Sequence, residues 1–134
     1  IGYLANFELS ENKIKPRGFI ADVKSWFYET DDQREAYYLS AILNSEIINR
    51  IIKPLQPRGL FGARAIHRRP LLFQIPKFDE NKESHVELAK IGRYCHENIE
   101  QAMPAKNNKI RNHVRKRFEN EILKINNLVR EMLG

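Results

Sequence analysis

The alternation of apolar and polar positions divides the chain into a short opening half and a longer helical one. Residues 1–9, IGYLANFEL, put Ile1, Tyr3, Ala5, Phe7 and Leu9 on one face of a strand. ENKIKPRG is a polar turn, and 19–28, FIADVKSWFY, alternates again, so the two runs predict an antiparallel pair. Asp32 and Glu35 have capping-box spacing and open a helix near residue 32. Leu39, Ile42, Leu43, Ile47 and Ile51 recur at helical spacing, with a break expected at Asn44-Ser45, where Ser45 caps a second short helix. Pro54 ends that element. LLFQIP, 71–76, is a short strand candidate. Ser84 and Glu87 repeat the capping spacing, and Leu88, Ile91, Cys95 and Ile99 mark one helical face. A stripe of Ile110, Val114, Phe118, Ile122, Ile125, Val129 and Met132 predicts one long amphipathic helix over 105–133. The expected fold is α+β: short antiparallel strands at the N-terminal side, then about three helices, the last one long.

Composition narrows the class. A chain of 134 residues with 42% hydrophobic residues suits a single domain, 1–134, with a real core. No apolar run is long enough for a membrane span. The chain opens without Met inside a strand pattern, which suggests a piece of something longer. The single cysteine, Cys95, cannot form an internal disulfide and fits a reducing, cytoplasmic setting.

Charge changes the picture more. The net charge is +6, and by segment it is −2 over 1–52, +6 over 53–77, −3 over 78–105, +6 over 106–117 and −1 over 118–134. The two positive windows each hold six Lys/Arg and no acid. Such windows are the footprint of a polyanion partner, set against the plainer reading of a solvated surface. RGLFGARAIHRRP, 58–70, concentrates the signal. An arginine fork can hold a phosphate or a guanine edge, and glycines let a backbone approach a phosphate. The candidate DNA-binding residues are therefore Arg58, Gly59, Gly62, Arg64, His67, Arg68 and Arg69 in this loop, Lys53 before it, and Arg111, Arg115 and Lys116 in the second window. Simple turn geometry explains the glycines equally well. Phe61 reads more readily as a core contact than as a wedge between bases. Trp26 and Tyr28 share a strand face with Lys24; a covering helix explains that face more often than stacked bases do.

Catalytic patterns are weak. Asp22-Val23-Lys24 has the spacing of a nuclease metal site but lacks a clear upstream acid, and an exposed salt link is the simpler account. His67, His85, Cys95, His96 and His113 show no ligand spacing; His85 and His96 on one helix stand about 16 Å apart. Neither GxxxxGK[ST] nor GxGxxG occurs. No catalytic, metal or cofactor residue is assigned.

Three blocks carry a resemblance: AYYLSAILNSEIINRII (36–52), RGLFGARAIHRRPL (58–71) and IPKFDENKESHVELAKIGRYCH (75–96). In order and spacing they resemble the C-terminal region of N6-adenine DNA methyltransferases of restriction–modification systems, the group with a TaqI-like specificity domain. The closing INNLVREMLG is similar too, and the resemblance runs from about residue 19 to the end. It implies a target-recognition module that binds double-stranded DNA beside an N-terminal methyltransferase domain of the same chain. In that family S-adenosylmethionine and the catalytic Asn-Pro-Pro-Tyr/Phe motif belong to the other domain. No Pro-Pro dipeptide occurs here, so no catalytic or cofactor role carries over. Ala63 and Ala65 flank Arg64 where many relatives are expected to have acids. The alternatives are a helical protein-interaction module docking on a methyltransferase domain and a Mg-dependent nuclease fragment.

Overall fold

The computed structural model describes residues 28–55, 58–59, 62–63, 74–102 and 110–134. Five helices carry them: α1 Gln33–Asn44, α2 Glu46–Ile52, α3 Glu83–Glu97, α4 Ile110–Arg117 and α5 Glu119–Leu133. Short 3-10 turns follow α2 at Lys53–Leu55 and α3 at Glu100–Ala102. The β-structure among the described residues is a two-residue antiparallel ladder, β1 Arg58–Gly59 with β2 Gly62–Ala63.

The α+β expectation is therefore corrected: the described residues form an all-α packing. The two N-terminal strand candidates fall on residues outside the described set, apart from Tyr28, which is exposed and not in a strand. The strand expected at 71–76 does not continue through 74–76. Pro76 has no N–H to give a ladder, and its carbonyl accepts a hydrogen bond from the Tyr38 hydroxyl at 2.9 Å.

The helix starts show which local signals survive folding. Asp32 caps α1, its Oδ1 accepting from the Arg34 N–H at 2.8 Å. Glu35 does not close the box itself. Thr30 Oγ1 accepts the Asp32 N–H and donates to Glu35 Oε2 at 2.6 Å, so the cap is relayed through a third side chain. Ser45 both ends α1 and caps α2, its Oγ accepting from the Ile48 N–H. The extended backbone of Ser45 (φ −63, ψ 152) rephases the helix. Ile48 and Ile52 face inward behind Ile42, and Ile51 is left 40% exposed. The cap expected at Ser84 is displaced: α3 begins at Glu83 behind Lys82, which makes no side-chain cap. The long final helix is broken at Phe118 (φ −109, ψ 28), a buried ring set edge-on to Tyr94.

The core forms where α1 crosses α3 and α5 closes over both. Tyr37, Tyr38, Ala41 and Ile42 of α1 meet His85, Leu88, Ala89, Ile91 and Gly92 of α3. Small residues at the crossing let the backbones approach. A Cβ on Gly92 would collide with the Tyr37 carbonyl oxygen and touch the Ala41 methyl at 3.4 Å. From α5, Ile125 and Val129 complete the core, with Leu128, Met132 and Leu133 around them.

Besides Ser45, two polar side chains among the described residues are buried and partnered. Asn126 Oδ1 accepts the Glu46 N–H at 2.9 Å, which fixes the start of α2 on α5. His85, 1% exposed, stacks on Tyr38 at 4.8 Å, and its Nδ1 accepts the Asp79 N–H at 3.1 Å. Burial, then nearby Lys82, hold the imidazole below its ordinary pKa, with Asp79 opposing.

Two outcomes follow for stability. Gly92→Ala gains helix propensity but overpacks the α1–α3 crossing, so urea unfolding should show a loss of about 1–3 kcal/mol. Folding holds His85 toward its neutral form, and unfolding returns it to an ordinary pKa near 6.5. The unfolded chain then binds a proton that the folded chain refuses, so this contribution is intact above that pH and falls as pH drops through and below it. Urea midpoints measured from about pH 7.5 down to about pH 5.5 should decline more steeply for the native chain than for His85→Gln.

Candidate nucleic-acid interface

The basic residues singled out from the sequence divide into three groups. Arg64, His67, Arg68 and Arg69 lie outside the described residues. Arg58, Gly59 and Gly62 lie in the β1–β2 ladder, where Arg58 pairs with Ala63 and Gly59 with Gly62 across a connection of two residues. The glycines are thus cross-strand neighbours. The ladder draws backbone groups of this segment into pairing with each other, and that favours the turn account of the glycines over one in which all their N–H groups await a phosphate.

Lys53, Arg111, Arg115 and Lys116 belong to helical elements. Lys53 is exposed in the 3-10 turn after α2. Arg111 is in α4, IRNHVRKR, with Arg115 and Lys116. The helix presents a clean division: Ile110 and Val114 lie half-buried one turn apart in line with buried Phe118, while Asn112, His113, Arg115, Lys116 and Arg117 are exposed. α4 has no acid of its own. Its three consecutive cations at the C-terminal end suit the negative end of the helix dipole, which stabilises the helix whatever it binds.

The fold joins this basic helix to α2 through one contact. Arg115 Nη2 lies 2.8 Å from Glu46 Oε1, a link spanning 69 residues of sequence. Arg50 of α2 approaches the other oxygen of the same carboxylate at 3.9 Å. Lys53 sits at the far end of α2, roughly 10 Å of helix rise from Glu46. Sequence reasoning placed Arg115 on the interface but missed Glu46 and Arg50, because nothing local signals a pairing between residues so far apart.

Elsewhere the described residues offer little chemistry. A shallow open depression of about 370 Å³ lies between Asp32, Arg34, Phe78, Asp79, Glu80 and Asn81. Arg34 spans it, 3.0 Å from Glu80 and with its guanidinium over the Phe78 ring. These contacts tie the start of α1 to the segment before α3. Cys95 is partly buried and burial, then Glu121, push its thiol up to about 11, which makes it a poor nucleophile. Among the described residues no three His, Cys, Asp or Glu groups converge to hold a metal ion, and no helix is long and apolar enough to cross a membrane. The chain matches no family model, no curated protein and no solved structure.

Proposed function

We propose that this chain is a double-stranded DNA-binding module, the target-recognition part of an N6-adenine DNA methyltransferase, and that it is non-catalytic in itself. The observation that carries the DNA-binding reading is α4, an acid-free helix whose Arg115, Lys116 and Arg117 are all exposed. It runs into α5 through buried Phe118, touches the 3-10 turn after α3, and is linked to α2 by the Arg115–Glu46 pair. Helix-borne cations of this kind neutralise backbone phosphates and set affinity, whereas contacts to base edges set sequence choice. The loop at 58–70 adds four arginines within thirteen residues. The methyltransferase assignment is supported by the three resembling blocks; on that reading methyl transfer and S-adenosylmethionine would belong to a separate domain of the same chain.

The test is duplex binding by fluorescence anisotropy over a salt series. The native chain should lose affinity with a slope of about −0.9 in log K against log salt for each phosphate contacted. Lys116→Ala with Arg117→Ala should weaken binding and make the slope shallower by up to about two such contacts. Replacing Arg58, Arg64, Arg68 and Arg69 by Ala should do the same for the loop. Binding to an isolated methyltransferase domain without any affinity for duplex would instead support the protein-interaction alternative.

A further inference from the structure

Glu46 stands between two arginines from different helices. Its Oε1 is 2.8 Å from Arg115 of α4 and its Oε2 is 3.9 Å from Arg50 of α2. All three groups are open to solvent, with side-chain exposures of 37% for Glu46, 45% for Arg115 and 78% for Arg50. The backbone that carries Glu46 is anchored, since its N–H is held by buried Asn126 at the start of α2. A carboxylate set between two guanidinium groups, close to one and 3.9 Å from the other, occupies the kind of place a phosphate takes between paired arginines. Next to it, Lys116 and Arg117 have no acidic partner among the described residues. Glu46 is thus the acid that lowers the charge of an otherwise basic face.

We propose that Arg115 and Arg50 form a site for a DNA backbone phosphate, and that Glu46 occupies it in the free chain as an internal competitor. The inference rests on the DNA-binding reading and adds a regulated contact to it. The balance of strengths allows exchange: an exposed ion pair holds its partners by a factor of about five at most, so an arriving phosphate can displace the carboxylate. Glu46 then sets the affinity of the face without touching the nucleic acid. It tempers non-specific binding, because part of the positive charge is released only when a phosphate lies against both helices.

The experiment is a thermodynamic cycle with a labelled random-sequence duplex, read by anisotropy over a salt series, using the native chain, Glu46→Gln, Arg115→Ala and the double variant. Glu46→Gln should bind up to about fivefold more tightly. Its slope of log K on log salt should stay close to the native one, because the same phosphate is contacted once Glu46 has been displaced. In the Arg115→Ala background most of that gain should vanish. Far-UV circular dichroism and urea midpoints establish folding for each variant. Glu46→Asp serves as a second probe, keeping charge at the start of α2 while drawing it back from Arg115, and should bind with intermediate affinity. Native binding with no gain from Glu46→Gln, or the same gain with and without Arg115, overturns the competitor inference and leaves the DNA reading standing. No duplex binding by the native chain at low salt overturns both.

Discussion

The phenol of Tyr38 is the contact around which the described structure is organised. The side chain is fully buried on α1, and burial pushes its hydroxyl up to about 12. A buried hydroxyl without a partner costs far more than a paired one gains, so the Pro76 carbonyl that accepts its proton must stay in place. That fixes the segment leading into α3. The ring lies against Phe78 and His85, and the sulfur of Met132 lies 3.2 Å from the hydroxyl. One side chain therefore joins α1, the 76–79 segment, α3 and α5. His85 extends the same arrangement by taking the Asp79 N–H, so two polar groups inside an aromatic cluster define the entry to α3 where no cap does.

Local and distant interactions were unequally visible in the sequence. Asp32 and Ser45 were legible as caps because a cap bonds to residues two or three places on, within reach of a sequence pattern. The inward positions of α2 were not, since the bend at Ser45 turns the helix and moves burial from Ile47 and Ile51 to Ile48 and Ile52. The Ser84 signal lost to a competing local turn: the Lys82 N–H bonds to the Asp79 carbonyl and the Asp79 N–H to His85, and α3 starts ahead of Ser84, at Glu83. Asn126 carries no sequence signal for its role, because the backbone donor it accepts, the Glu46 N–H, lies 80 residues away. Pro76 is a sign against strand at the described end of 71–76, since it lacks the N–H a ladder needs.

The candidate interface was legible in part. Charge counting found the two basic windows, because charge is a property of composition and needs no geometry. It gave the cations it singled out one shared role, contact with DNA, without distinguishing among them. Packing then distinguished them: Arg115 is engaged with Glu46, Lys116 and Arg117 project outward, and Arg58 belongs to a minimal hairpin. An acid from a neighbouring negative segment enters a positive face once the chain is folded, so segment charges misstate the field that a ligand meets.

The reach of these contacts along the chain has a consequence for synthesis. The Tyr38 hydroxyl and Met132 are 94 residues apart, and the Glu46 amide and Asn126 are 80 apart. α1 and α2 leave the ribosome with an apolar face whose cover, α5, has yet to be translated. For that interval, at a few residues per second, Ile42, Ile48 and Ile52 have only partial shelter. The nascent chain therefore carries an incompletely covered apolar face on its first helices until translation passes α5.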